Sequence, residues 1–183
     1  MAEAFSNKVV RAAGIVTTYS GSTVAAGSTQ ITVTANTGIG VSDLVDNSNF
    51  IAGTRVAQIS GTTIFTDRNS TNTSSATSQT VRFLGPTTAY TSPASTKSII
   101  IGGTFANNTG NSVNLTLEIL DSSIGVTSTG AVAIASKIPV PSGSSFVISD
   151  TGKTLLESGD ELRIYCDTTD AIDASISILT GVN

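Results

Sequence analysis

Val113-Asn114-Leu115-Thr116-Leu117-Glu118-Ile119 (VNLTLEI) decides the fold. Apolar and polar residues alternate without a break, which is the period of two that a half-buried β-strand requires. Val113, Leu115, Leu117 and Ile119 point one way, and Asn114, Thr116 and Glu118 the other. Just upstream, Asn107 to Asn111 (NNTGN) is a turn signal. Before it, Lys97 to Phe105 carries the run Ile99-Ile100-Ile101, expected to be a strand buried on both faces or at a sheet centre. Thr87–Thr91, bracketed by Pro86 and Pro93, is a further strand, as are Ala131–Ala135, Ser145–Ile148, Leu162–Tyr165 and Ala174–Leu179. Pro139 and Pro141 flank Val140, so that stretch is an edge or a connection, because proline cannot donate to a ladder. Short strands separated by turn signals at this spacing predict an all-β chain whose residues 86–183 form a β-sandwich, immunoglobulin-like or jelly-roll.

The preceding residues are expected to form a small inserted or preceding β module over 21–85. Its strands are read at Thr29–Thr34, Arg55–Ser60, Thr62–Thr66 and Thr80–Leu84. Asp67 to Gln79 (DRNSTNTSSATSQ) has almost nothing apolar and reads as a solvated loop or mobile tip. With few large side chains, the core of this module is small and expected to lean on a neighbour. Residues 1–20 are read as an N-terminal arm or first strand, since Ala2 to Ala13 lacks the cap and stripe of a helix. Shifted by 71 residues, Val10-Arg11, Gly14, Thr17 and Tyr19 recur as Val81-Arg82, Gly85, Thr88 and Tyr90. Either a module was inserted with its junction duplicated, or two extended strands coincide.

Composition narrows the chemistry. The chain has 183 residues, no His, no Trp and a single cysteine, Cys166. Ser and Thr number 26 and 29, about 30% of the chain, while charged residues are only 12%. Without His there is no Ser-His-Asp or Cys-His nucleophile pair and no His-containing metal site. One Cys builds neither a zinc knuckle nor an intrachain disulfide. A formal net charge of -4 and no Lys/Arg run leave no electrostatic footprint for nucleic acid. No apolar run approaches the roughly 20 residues of a membrane span, and Met1 to Phe5 open no Sec-type signal. Disorder is disfavoured, because 39% of residues are hydrophobic and β-branched residues dominate the ordered-looking stretches.

The remaining candidates read as structural. Asp167, Asp170 and Asp173 (DTTDAID) lack the glycine and alternating ligands of a calcium loop, so a solvated hairpin turn is expected. Asp160 and Glu161 are adjacent as they enter a strand and point to opposite faces, unlike a glycosidase pair. Tyr19, Tyr90 and Tyr165 are too scattered for a saccharide platform, and Cys166 reads as a small buried hydrophobe. Sequons such as Asn69-Ser70-Thr71 and Asn107-Asn108-Thr109 matter only on a secretory route. Gly102-Gly103 follows a strand without a phosphate-loop Lys. No catalytic, cofactor-binding or metal residue is expected, and no cofactor.

Residues 87–166 resemble the small β-sandwich domains of tailed-bacteriophage virion proteins, cyanophage structural proteins among them. The likeness lies in Tyr90–Ala94 (YTSPA), the pair Ala106-Asn107, and Leu156–Arg163 (LESGDELR). The stretch Ile31–Ile64, with AGTRV and ISGT, is similar to a small module of phage tail and fibre proteins. These are patterns of turns and core positions and carry no functional residues to transfer. The resemblance implies a structural component of a virion, made in the host cytoplasm, without enzymatic activity. It would be an accessory protein on the capsid surface (decoration or cement) or at the neck or tail, with the capsid favoured by small size. Its partners would be other virion proteins and further copies of itself, with no nucleic acid or membrane, and the N-terminal arm would lie across a neighbouring subunit. The rival reading is an adhesin or fibre-type module that binds a host-surface glycan or receptor through 67–79.

Overall fold

A computed structural model of the chain describes residues 3–124, 130–149 and 154–182. Among these residues there is no helix, so none is long and apolar enough to cross a membrane. The chain divides into two compact units, one of residues 15–86 and one of residues 1–14 together with 87–183. The smaller unit is therefore an insertion in the larger.

In chain order, β1 (Ala4–Ala13) belongs to the larger unit. The smaller unit follows with β2 (Ile15–Val24), β3 (Gln30–Thr32), β4 (Leu44–Asp46), β5 (Val56–Ser60), β6 (Thr63–Thr66) and β7 (Ala76–Gly85). The larger unit resumes with β8 (Thr87–Thr91), β9 (Lys97–Asn107), β10 (Val113–Leu120), β11 (Ala131–Val140) and β12 (Ser145–Ile148). It ends with β13 (Thr154–Leu156), β14 (Glu161–Cys166) and β15 (Ile172–Val182).

The larger unit is a β-sandwich. One sheet has the order β1-β15-β9-β12, with β13 also on β9, and the other β11-β10-β14-β8, every pairing antiparallel. Between them lie Ile100, Phe105, Leu156, Ile172, Ile176 and Ile178 from the first sheet, and Val113, Leu115, Leu117, Leu162 and Ile164 from the second. The alternation of β10 thus sets the core as expected. Its polar side is also covered, since Thr116 and Glu118 are buried. Register places Thr116 beside Tyr165 and Glu118 beside Arg163, and the Tyr165 hydroxyl donates to Glu118 Oε1 at 3.2 Å. Pro139 lies in β11, an edge strand where a missing N–H leaves no ladder bond unmade.

Several expectations need correction. Of the two readings of the N-terminal residues, the first strand holds and the arm does not: Ala4–Ala13 pairs with β15 of its own chain. The first boundary falls after Gly14, not after residue 20, because β2 already belongs to the inserted unit. Of the two readings of Ile99-Ile100-Ile101, the sheet centre holds, since β9 lies between β15 and β12, but burial on both faces does not, since only Ile100 is buried. The repeated junction is not structurally equivalent. Its first half leaves the sandwich through β1 and β2, and its second half returns through β7 and β8.

The inserted unit has the strand order β4-β7-β2-β3-β6-β5. The ends of that order meet: Ser42 donates to the Val56 carbonyl, Val56 to that of Asp43, and Val45 to that of Thr54, all at 2.8–2.9 Å. Leu44 also bridges Arg55. Six short strands therefore close into a barrel around Val24, Ile31, Val45, Val56, Ile64 and Phe83. Closure satisfies the backbone groups that an open sheet would leave at its rims.

Candidate functional site

The carboxylates singled out from the sequence do not converge. Asp160 is buried and ties the Ser122 turn to its own: its Oδ1 accepts from Ser122 N (3.0 Å) and Oγ (3.2 Å), and its Oδ2 from Glu157 N (2.9 Å). Gly159, at φ +87°, turns the chain into position for this. Glu161 instead accepts from Arg163 Nε (2.8 Å) and Thr88 Oγ1 (3.3 Å). One carboxylate is a buried staple and the other a partner on the strand surface.

Asp167, Asp170 and Asp173 do not lie in a hairpin. β14 and β15 belong to opposite sheets, so the segment between them arches over the end of the sandwich. Asp167 accepts from Asn114 N (2.8 Å) and Nδ2 (2.7 Å), whereas Asp173 Oδ1 accepts from Ala12 N (2.8 Å). Asp170 N donates to the Gly14 carbonyl and Ala171 N to that of Ala13, both at 3.0 Å. The arch thus grips the end of β1. A Cβ on Gly14 would stand 2.3 Å from the Thr168 carbonyl oxygen, so only glycine fits there. Among the described residues no group of three or more His, Cys, Asp or Glu is placed to hold a metal.

The stretch 67–79, expected to be a solvated loop or mobile tip, is largely exposed over 67–75 but is neither all loop nor loosely held. Residues 76–79 begin β7, and Ser70 is buried. Ser70 Oγ donates to the Ala25 carbonyl (2.6 Å) and accepts from Ser28 N (3.2 Å). Thr71 N and Oγ1 both donate to the Asn49 carbonyl (2.8 and 3.1 Å), and Asn72 Nδ2 donates to Val24 O (3.2 Å). Side-chain hydrogen bonds to backbone do here what apolar burial does elsewhere. The tyrosines are likewise structural. Tyr90 shares a buried hydrogen bond with Ser98 Oγ (2.8 Å), and Tyr19 donates to the Thr37 carbonyl (2.7 Å). Cys166 is buried.

What the sequence reading missed is a surface. On the sandwich sheet that contains β1, the side facing away from the core carries an exposed apolar row among small polar residues. Phe5 stands opposite Leu179, Leu179 opposite Ile99, and Ile99 opposite Leu155, which makes one apolar row across four strands. Phe5 is 77% exposed and Leu155 46%, with Leu179 and Ile99 half-buried between them. A second row runs Val9, Ser175, Thr104 and Val147, with Val9 80% and Val147 54% exposed. Ile101, bulged out of the ladder, lines a shallow hollow with Phe5, Asn7 and Ser177. Scattered exposed hydrophobes are ordinary; four in one continuous row across a sheet are a candidate interaction surface. The one advance signal was the isoleucine run, which is apolar on both sides of the strand.

No protein-family model matches this chain, and none of the curated proteins compared with it matches it either.

Proposed function

We propose that this protein is a non-enzymatic structural component of a tailed-phage virion, an accessory subunit on the capsid surface or at the neck or tail. One observation carries the assembly role: a finished sheet turns a continuous apolar row, Phe5-Leu179-Ile99-Leu155, to the outside. Leaving that row in water costs about 25 cal/mol per Å² of apolar area, a cost recovered when a partner covers it. The location in a virion rests on the resemblance of YTSPA, LESGDELR and AGTRV to phage structural domains. The carboxylates support the same reading, since Asp160, Asp167 and Asp173 each hold backbone in place. The adhesin reading has less behind it, because residues 67–75 direct much of their hydrogen bonding into their own barrel.

The test is mass spectrometry and cryo-electron microscopy of purified virions of the phage whose genome encodes the chain. The expected result is this chain at many copies per particle, with its density in contact with capsid, neck or tail. Its absence from purified virions would overturn the proposal.

A further inference from the structure

We infer that the outer face of the β1-β15-β9-β12 sheet is a self-association surface, covered in solution by the same face of a second copy. The inference goes beyond the virion reading and can fail separately from it.

Size is the first argument. Strands about 4.8 Å apart, rising about 3.3 Å per residue, make this face roughly 35 Å long and 15–20 Å wide. That is roughly 600 Å² before the relief of the side chains is counted, against the usual share of about 800 Å² per partner in a stable dimer. One continuous sheet offers this area in one piece, and sheets stack face to face about 10 Å apart with their strands nearly aligned.

Charge is the second argument. Within the strands, the charged groups on this side are Arg11 and Asp173 near one end and Lys97 at the other. Arg11 and Asp173 line one shallow hollow, and Lys97 Nζ is 3.1 Å from Glu157 Oε1. Each end thus carries both signs, and the middle holds only Ser, Thr, Asn, Gly and apolar residues. A second copy therefore meets no field of its own sign and strips water from no lone charge, the usual obstacle to burying ionic groups. A strongly charged partner would find nothing here to complement.

Symmetry completes the assignment. A two-fold axis lying in the interface along the strands, between β15 and β9, reverses the apolar row on itself. Phe5 of each copy then lies over Leu155 of the other, and Leu179 over Ile99. The interface is isologous and closes at two copies. Ser177 and Gly102, which are register partners, lie next to that axis.

Sedimentation equilibrium and light scattering on the full chain test this, with Phe5→Asp, Leu155→Arg and the control Val132→Arg. Val132 is 63% exposed on β11 of the other sheet. The expected result is a dimer at micromolar concentration whose dissociation constant rises at least 100-fold in both face variants and is unchanged in V132R. Circular dichroism should match wild type in all of them. Should the face variants misfold, Ser177→Cys reads the same contact without adding charge, because the native Cys166 is buried. With a short bis-maleimide, whose reach spans sheets stacked about 10 Å apart where a direct disulfide cannot, S177C forms a covalent dimer, and Ser60→Cys on the inserted barrel does not. A wild-type chain that stays monomeric at 100-fold higher concentration overturns the inference, as does a dimer indifferent to F5D and L155R with no S177C cross-link. A monomer that is still found on virions removes this surface but keeps the assembly role. A dimer absent from virions keeps the surface and removes the virion reading.

Discussion

The inserted barrel and the sandwich solve the edge problem of β-structure in opposite ways. In the barrel, β4 and the residues leading into β5 meet, so the six-stranded order has no open end. In the sandwich, β1, β12 with β13, β11 and β8 remain rims, and an apolar row stays exposed on one sheet face. Lys8 marks one rim as guarded: its neighbours on β15 and in the hollow beside β8 place it toward the inner side, a device that discourages stray strand pairing. The barrel closes on its own hydrogen bonds, whereas the sandwich keeps open rims and an exposed apolar row. Two units of one chain, similarly rich in hydroxyls, are thus suited to different tasks.

That contrast can be broken by mutation. The largest effects come from the two cores. Phe83→Ala in the barrel and Phe105→Ala in the sandwich, both at 0% exposure, each cost about 3–5 kcal/mol. Hydrogen exchange should show protection lost over 15–86 in the first and over β9 and β15 in the second; loss throughout the chain in both would erase the distinction. Gly14→Ala comes next. It forces a side chain into the Thr168 carbonyl at a φ of +128° and should cost about 2–3 kcal/mol, with exchange rising first at the amides of Asp170 and Ala171. Ser70→Ala removes the donor to Ala25 O and should cost about 1–2 kcal/mol in urea denaturation of the barrel.

The smallest effect has the opposite sign. Burial raises the Asp43 carboxyl above its ordinary 3.8, although the Gly40 N–H at 2.7 Å pulls the other way. A group raised in the folded state contributes most when protonated, below 3.8, and that contribution fades as pH climbs through the folded value. Asp43→Asn keeps an acceptor for Gly40 and removes the buried charge. It should raise the melting temperature of the barrel slightly at pH 7 and flatten its decline between pH 4 and 7. A lower melting temperature at pH 7 would show that the hydrogen bond outweighs burial.

The sandwich was largely legible because its strands carry their burial in their own pattern. VNLTLEI and the LESGDELR turn each specify a local structure that tertiary contacts then respect. The barrel was less legible. In β2, IVTTYSGSTV, a serine (Ser22) sits at 0% exposure and donates to the Tyr19 carbonyl at 3.2 Å, so no apolar stripe announces the inner face. The loop after β6 misled for the same reason, since buried hydroxyls and solvated ones look alike in a sequence. The outer apolar row was legible locally only in the isoleucine run 99–101. Phe5 and Leu179 become neighbours only through the long-range register of β1 on β15.

That register also sets a timetable. β15 is the last strand made, yet it lies between β1 and β9 and is bonded to both. The barrel has all its strands once residue 86 leaves the ribosome, but the sandwich sheet must wait for residue 182. At ordinary elongation rates that gap is roughly 5–20 s. Throughout it, β1 with its Phe5 and Val9 waits for a partner that does not yet exist. The strand that waits longest for its partner is β1, made well before the β15 it pairs with.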